Sequence, residues 1–146
     1  GSKVLVGDGP ERQRLERLNP DAHFLGFRHG EDYARTLASA DVMVFPSRTD
    51  TFGLVMLEAM ACGTPVAAYN APSPLDVVED GVTGCIADTL EGAVARASLL
   101  DRDMVQKGSM HFSWQKCAAM FESWLVPCGS IQQPRQDRLG GIVPSR

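Results

Sequence analysis

The chain has 146 residues, of which 44% are hydrophobic and 22% are charged, as is usual for a soluble globular protein with its own core. Its formal net charge of −4 at pH 7 excludes the overall positive field that holds nucleic acid, so we expect no nucleic-acid partner. No apolar run approaches the ~20 residues of a membrane-spanning helix. The four cysteines lack metal-binding spacing and predict reduced thiols in a cytoplasmic protein without a metal.

Strands and helices alternate through the first third of the chain. The apolar and charged pattern predicts strands at residues 3–7, 23–25 and 42–45 and helices at about 11–18 and 31–40. The first helix carries three arginines that form either a local basic patch or, as we expect, the solvated face of that helix: Arg12, Arg14 and Arg17.

A polar loop follows the third strand and leads into the next helix. From there the pattern predicts helices at 53–62, 90–100 and 114–125, a helical turn at 72–78, and strands at 66–69 and 85–87. Residues beyond 125 are rich in Pro, Gly, Gln, Ser and Arg and show little apolar periodicity. We therefore expect a folded domain at residues 1–125 and a disordered tail at residues 126–146.

The alternation predicts an α/β fold in which a Rossmann-like parallel sheet is covered by helices on both faces. Ligands of such sheets bind at the carboxyl ends of the strands, where loops lead into helices. Two loops, at residues 7–10 and 50–53, occupy that position. Because the chain begins on a core strand, where such domains usually have further sheet, we also expect it to be part of something larger.

Two carboxylates, Asp50 and Glu58, lie eight positions apart, the first in the second loop and the second in the helix that follows. A carboxylate near the carboxyl end of a strand is suited to binding the two hydroxyls of a ribose. The structural alternative for Glu58 is an exposed helix face or a pair with an arginine. Asp50 either stabilises the helix N-terminus or faces the polar groups of a ligand.

The helix start itself is the second candidate feature. Gly53 lets the backbone approach a ligand closely, and the N–H groups at the start of a helix favour an anion such as a phosphate. The alternative is a helix that begins at a glycine without binding anything.

Several runs occur in an order that is specific when they are taken together: VGDGP at 6–10, FLG at 24–26, ADV at 40–42, FPS at 45–47, TFGL at 51–54, LEAMACGTPV at 57–66, DGVTG at 80–84 and FSW at 112–114. Their order and spacing resemble the C-terminal domain of retaining nucleotide-sugar glycosyltransferases of the GT-B architecture, glycosyl transferases group 1 type. The resemblance covers roughly residues 3–125 and implies one of two facing Rossmann-like domains.

The resemblance implies a role for each candidate residue. Asp50 would lie beside the donor sugar as the catalytic carboxylate, and Glu58 would bind the ribose hydroxyls. The loop at 7–10 would line the donor cleft, the segment 25–28 would border the base, and the helix start would hold the sugar and diphosphate. The expected substrate-binding residues are therefore Gly7, Gly9, Phe27, Arg28, Thr51, Phe52, Gly53, Leu54 and Glu58.

Two departures from the family qualify these roles. The family more often has Glu at the position of Asp50, and its cationic pair for the diphosphate precedes the first strand seen here, as does its N-terminal acceptor domain. We therefore expect a domain that binds a GDP- or UDP-sugar, with GDP-mannose the first choice, and that needs no metal or cofactor. It would be inactive without the acceptor domain, through which the parent enzyme would associate peripherally with a membrane.

Two other classes remain open. A nucleotide-sugar epimerase on the same architecture would need catalytic carboxylates and a histidine in places where this sequence does not supply them. A degenerate, non-catalytic nucleotide-sugar-binding or interaction domain is favoured by the missing cationic pair and acceptor domain. The intact pair Asp50 and Glu58 opposes that second alternative.

Overall fold

The computed structural model describes residues 1–126, which contain five β-strands and seven α-helices. Strands and helices alternate up to the fifth strand, after which three helices follow. In chain order the elements are β1 (Lys3–Leu5), α1 (Arg12–Leu18), β2 (Ala22–Phe24), α2 (Gly30–Ala38), β3 (Met43–Phe45), α3 (Leu54–Ala61), β4 (Val66–Tyr69), α4 (Pro72–Val77), β5 (Gly84–Ala87), α5 (Leu90–Ala97), α6 (Arg102–Ser109) and α7 (Trp114–Trp124).

Every predicted strand and helix is present, and the predicted bounds differ from the observed ones by at most three residues. The structure also contains one helix that the sequence pattern did not predict, α6. Val105 is its one buried apolar side chain, and the segment is mostly polar, so it has few apolar residues to mark a helix. Its start is nevertheless capped, because the Asp101 carboxylate accepts hydrogen bonds from the backbone N–H groups of Asp103 and Met104.

All strand pairs are parallel, which confirms the predicted Rossmann-like class of fold. In the described residues β1 pairs with β2, and β4 lies between β3 and β5. The alternation predicted a single sheet, whereas these strands form two. An apolar pattern shows that strands are buried and parallel, but it does not show which strand edges meet.

Helices cover both faces of the three-stranded sheet, as predicted. Side chains of a strand alternate between its faces: Val66 and Ala68 of β4 pack in one buried cluster, and Ala67 packs in another. Helices α2, α3, α4 and α6 contribute to the first cluster, whereas α5 supplies the second. Full burial of a side chain as large as Met56 contributes roughly 1.5–3 kcal/mol. The chief core members contributed by the helices are Met56, Met60 and Val105 on one face and Ala93 and Ala97 on the other.

The two-stranded sheet is much less buried. All three residues of β1 are exposed, and α1 has no buried residue. Beyond the paired strands, the backbone N–H of Leu25 donates to the carbonyl of Leu5 at 3.0 Å, and the N–H of Gly7 donates to the carbonyl of Gly26 at 2.8 Å. These bonds bring the loop that follows β1 beside the segment that follows β2.

Arg102 ties α6 to the carboxyl end of α2. Its guanidinium donates to the carbonyls of Ala38 and Ala40, both at 2.6 Å, and to the hydroxyl of Thr64 at 3.2 Å. The same hydroxyl donates to the carbonyl of Leu37 at 2.7 Å. The last carbonyls of a helix have no partner within the helix, so this guanidinium satisfies groups that the end of α2 leaves open.

Contacts divide the chain into a unit at Gly1–His111 and a second unit that begins at Phe112. The first unit contains both sheets and helices α1 to α6. In the second, the Ser113 hydroxyl caps α7 by accepting from the N–H of Lys116 at 3.2 Å, and no residue of α7 is buried. The tail predicted at 126–146 lies outside the described residues apart from Val126. Among the described helices, none combines the length and the apolar character that a membrane crossing requires.

Candidate functional site

The loop between β3 and α3 begins with a short hydrogen-bonded turn. The Ser47 hydroxyl accepts from the N–H groups of Thr49 at 3.4 Å and Asp50 at 3.1 Å. One residue further, Oδ1 of Asp50 accepts from the N–H of Phe52 at 3.1 Å. Side chains of Ser and Asp commonly shape turns in this way. Asp50 therefore supports the approach to the helix, the first of its two predicted roles, and remains exposed for the second.

Gly53 begins α3 in a conformation that other residues rarely adopt. Its φ is +77° and ψ is +59°, in the left-handed region, and the residue is buried. A Cβ at this position would lie 2.6 Å from Cε of Met56, 3.1 Å from Cζ of Phe45 and 3.3 Å from Oγ of Ser73. Backbone conformation and packing thus both require glycine, whether or not a ligand binds here.

Glu58 lies on the solvent-facing side of α3. The buried positions of this helix are Met56, Ala59 and Met60, which recur at helical spacing, and Glu58 falls between them on the exposed face. An arginine partner was one structural alternative for this carboxylate. The partner observed is instead a tyrosine hydroxyl: Oη of Tyr33 donates to Oε2 of Glu58 at 3.0 Å.

Tyr33 comes from α2, and its ring packs against the core cluster that lies below α3. Partial burial of the phenol, together with its hydrogen bond to the Glu58 carboxylate, raises the pKa of Tyr33 to about 12. Burial is the larger cause. The half-buried Cys62 follows Glu58 by one helical turn, and burial followed by the Glu58 charge raises the pKa of its thiol as well.

Arg48 places a positive charge in the same loop. Its guanidinium carbon lies 3.7 Å from the centroid of the Tyr69 ring, at the end of β4. This is the geometry of a cation–π interaction. The loop after β3 is thereby attached to the carboxyl end of the neighbouring strand.

The first predicted loop, at residues 7–10, closes on itself and on α1. Asp8 accepts from the N–H of Gly9 at 2.8 Å and from Nη1 of Arg12 at 3.0 Å. The Gly9 N–H, followed by Arg12, lowers the pKa of the Asp8 carboxyl. Arg12 also donates to Glu16 at 2.8 Å and to the Phe24 carbonyl at 3.2 Å, so it joins the loop to β2.

The segment predicted to border a base projects into solvent. Phe27 is 67% exposed and its ring is stacked with that of His29, with centroids 6.2 Å apart and planes inclined by 16°. Arg28 is exposed between them. An exposed aromatic ring beside a cation is a chemically suitable surface for a planar base.

The predicted residues thus form two groups, each at the carboxyl ends of parallel strands. Gly7 and Gly9 lie with Phe27 and Arg28 beyond β1 and β2, because the Gly7–Gly26 bridge joins the two segments. The run 50–54 and Glu58 lie beyond β3. No hydrogen bond or ion pair within residues 1–126 links one group to the other.

Both carboxylates lie on open surface. Two depressions, of about 460 Å³ and about 390 Å³, are found elsewhere in the first unit, one beside the carboxyl ends of β4 and β5 and one between α1 and β2. Neither includes Asp50 or Glu58. Within the described residues no group of three or more His, Cys, Asp or Glu could hold a metal ion, and Cys62, Cys85 and Cys117 are free thiols.

Sequence reasoning assigned no individual role to Ser47, which belongs to the FPS run at 45–47, or to Tyr33 or Arg48. Ser47 could have been found, since a serine three residues before an aspartate in a loop is a turn signal. Tyr33 contacts a residue 25 positions away. Its role depends on the packing of α2 against α3, for which the sequence contains no local signal.

Comparison with known proteins identifies a family and several relatives. The sequence profile of the family described as "Glycosyl transferases group 1" matches residues 2–101. Over 139 residues the chain is 41% identical to a GDP-mannose-dependent alpha-mannosyltransferase of Corynebacterium glutamicum, covering 92% of this chain and 33% of that protein. It is 38% identical over 144 residues to a GDP-mannose-dependent alpha-(1-6)-phosphatidylinositol dimannoside mannosyltransferase of Mycobacterium tuberculosis, covering 88% of this chain and 35% of that one.

A solved structure is similar in fold. Anabaena HepE, crystallised in complex with UDP and glucose, superposes with a TM-score of 0.65 at 26% identity, covering 82% of this chain and 40% of that chain. This chain therefore spans about a third of the length of the curated relatives it matches.

Proposed function

The chain belongs to the glycosyl transferases group 1 family, and from that premise we propose that it is the donor-binding domain of a retaining glycosyltransferase. The domain binds a nucleotide-diphosphate sugar, and the complete enzyme transfers the sugar to an acceptor held by a second domain. The single observation that carries the proposal is the placement of the exposed carboxylate of Glu58. It is the fifth residue of α3, the helix whose anion-favouring start follows the carboxyl end of β3.

Glu58 binds the ribose of the donor. An ionised carboxylate is an acceptor only, with two oxygens that suit the two vicinal hydroxyl donors of a ribose. Its exposed position on α3 leaves it accessible, while the tyrosine contact occupies only one side of one oxygen.

The start of α3 holds the diphosphate. The first N–H groups of a helix have no partner within the helix, and with the helix dipole they favour negative charge. Gly53, in its left-handed conformation, turns the chain from the exposed loop into this helix start. The Phe52 N–H contributes less to binding the diphosphate, because it already donates to Asp50.

Asp50 lies beside the donor sugar and stabilises the positive charge that develops when the bond to the diphosphate breaks. Electrostatic stabilisation of this kind commonly supplies the largest share of a rate enhancement.

The diphosphate needs cations in addition to the helix start. The only basic residue between β3 and α3 is Arg48, which lies on Tyr69. The cationic pair that the family resemblance implies would come from outside this chain, as would the acceptor site.

GDP-mannose is the proposed donor, because the two relatives named above are GDP-mannose-dependent. A UDP-sugar is the alternative, supported by the UDP bound to Anabaena HepE. The relative named as a phosphatidylinositol dimannoside mannosyltransferase supports a lipid-linked acceptor, which the second domain would hold. We also propose that the donor is drawn from the cytoplasm.

A second candidate function is a non-catalytic nucleotide-sugar-binding domain. It is supported by the open surface on which both carboxylates lie. Both functions require that the donor binds. They differ in whether the chain restores transfer when it is joined to an acceptor domain of a relative.

Thermal unfolding of the 146-residue chain with GDP, UDP and ADP and their sugars tests the binding. A ligand present at ten times its Kd stabilises by about 1.4 kcal/mol and raises Tm by a few degrees. We expect the largest rise with GDP-mannose and none in Glu58→Ala. Glu91→Ala, which removes an exposed carboxylate at the start of α5, serves as the matched control and should retain the rise. Equal behaviour of all ligands and variants would refute the proposal.

A further inference from the structure

We propose that Tyr33 is a positioning residue for donor recognition, which holds the Glu58 carboxylate in the orientation that reads the ribose diol of the nucleotide. The inference rests on the proposed function. It adds Tyr33 to the donor site and makes the site selective for nucleotides that have a ribose diol. It makes α2 part of the donor site, although no residue of α2 was predicted to contact the ligand.

The contact has the geometry that positioning requires. Oη of Tyr33 lies 3.0 Å from Oε2 of Glu58, and the two residues come from adjacent helices 25 positions apart. The tyrosine ring is half-buried against the core cluster, and this packing holds its hydroxyl in one position. Glu58, by contrast, is exposed and would otherwise rotate freely about its side-chain bonds. Ordering a mobile side chain on binding costs conformational entropy. If the Glu58 rotamer is already fixed before the ligand arrives, binding does not include that cost.

The hydrogen-bonding capacities of the two groups are compatible with a bound diol. A carboxylate has about four acceptor positions on two oxygens. One donation from Tyr33 leaves room for both ribose hydroxyls while fixing the plane of the carboxylate. A pKa of about 12 keeps the Tyr33 phenol protonated at neutral pH, so it acts as a hydrogen-bond donor and not as a base.

A positioning role differs from a packing role in what it affects. If Tyr33 only packed α2 against α3, loss of its hydroxyl would weaken all nucleotides alike or none. If it orients Glu58, loss of the hydroxyl weakens only ligands that have a ribose diol. Tyr33→Phe keeps the ring and its contacts and removes only the donor, so it separates these two roles.

The experiment compares GDP with 2′,3′-dideoxy-GDP by equilibrium binding to the 146-residue chain. The proteins are the unaltered chain, Tyr33→Phe, Glu58→Ala and the double variant. Ser39→Ala is the control, because its hydroxyl also lies at α2 but donates to Arg35 within its own neighbourhood. We expect Tyr33→Phe to bind GDP about threefold to tenfold more weakly and dideoxy-GDP unchanged. In the Glu58→Ala background the Tyr33 substitution should have no further effect, and Ser39→Ala should match the unaltered chain.

The outcomes separate this inference from the function on which it rests. If the unaltered chain binds neither ligand, or binds both equally, the proposed ribose site is wrong and the inference is wrong with it. If Glu58→Ala abolishes the preference for GDP but Tyr33→Phe retains it in full, only the inference is overturned. Equal weakening of both ligands by Tyr33→Phe would show a packing role and also overturn it.

A second measurement does not depend on the ligand. The alkaline absorbance titration of tyrosinate, taken as the difference between the unaltered chain and Tyr33→Phe, reports the Tyr33 phenol. We expect a midpoint near 12 that falls in Glu58→Gln, which removes the neighbouring charge. A midpoint that is the same in Glu58→Gln would mean that the hydroxyl and the carboxylate are not in contact in solution, which also overturns the inference.

Discussion

The guanidinium of Arg48 lies over the face of the Tyr69 ring, with 3.7 Å between the guanidinium carbon and the ring centroid. Arg48 belongs to the loop that carries Asp50, and Tyr69 ends the strand that forms the centre of the three-stranded sheet. The interaction therefore connects an exposed loop of the candidate site to a largely buried strand of the sheet.

A double-mutant cycle of Arg48→Met and Tyr69→Leu should measure that connection. Methionine and leucine keep apolar bulk at each position while removing the charge and the ring. Because Arg48 is exposed, we expect a coupling of about 0.5–1 kcal/mol in the free energy of unfolding, measured by urea denaturation. Strictly additive effects of the two substitutions would contradict an interaction between them.

Gly53→Ala should be strongly destabilising, and Gly81→Ala supplies its matched control. Both glycines have positive φ, +77° and +82°. An alanine in this left-handed conformation lowers the free energy of unfolding by roughly 1–2 kcal/mol at either position. At Gly81 no atom lies within 4 Å of the added Cβ, whereas at Gly53 the Met56 side chain does, at 2.6 Å. The crowded atom is the flexible end of Met56, but that side chain is fully buried, so the crowding should cost roughly 1 kcal/mol more at Gly53. Equal losses of unfolding free energy would show that the loop rearranges to accept the methyl group.

Asp50 combines a turn-forming oxygen with a charge, and two substitutions separate them. Asp50→Asn keeps an oxygen that can accept from the N–H of Phe52, while Asp50→Ala removes it. We expect Asp50→Asn to unfold at nearly the same urea concentration as the unaltered chain and Asp50→Ala to lose about 1 kcal/mol. When the domain is joined to an acceptor domain of a relative, both should lose transfer activity. Activity retained by Asp50→Asn would exclude a charge-dependent role.

Asp80 should make the stability of the first unit sensitive to acid. Its carboxylate accepts from the N–H of Ile86 at 2.8 Å and from Arg96 at 2.9 and 3.1 Å, and these contacts lower its pKa, with the Ile86 bond the larger cause. A lowered pKa in the folded state means that the stabilisation is complete above the unfolded value near 4 and is lost as pH falls through the folded value. Asp80→Ala should therefore cost about 1 kcal/mol at pH 7. The difference should shrink below pH ~4, and one that persisted in acid would contradict the assignment.

The parts of this molecule that the sequence predicted are those that depend on neighbouring residues. Helix and strand periodicity and the glycine at the start of α3 follow from spacing within a few turns of chain, and an exposed helix face was one of the alternatives left open for Glu58. The same holds for β4, whose predicted bounds are those observed. These features are local, so a single sequence contains them.

The parts that could not be predicted depend on which elements meet. The hydroxyl of Tyr33 reaches Glu58 only because α2 packs beside α3, and Arg48 reaches Tyr69 only because β3 lies next to β4 in the sheet. The division of the strands into two sheets has the same origin, since pairing of edges is decided in three dimensions. The role of each donor-site residue remains a prediction for the binding experiments.

The Arg102 contacts have a consequence for the order of events during synthesis. Arg102 donates to the carbonyl of Ala38 across 64 positions of sequence, and α2, which carries Tyr33, ends at that carbonyl. A ribosome adds Arg102 only 64 residues after Ala38, so over that interval the helix lacks the guanidinium that closes its carboxyl end. Contacts between residues so distant in sequence form late, because a long loop must close first. The carboxyl end of α2 therefore becomes anchored only when α6 has emerged.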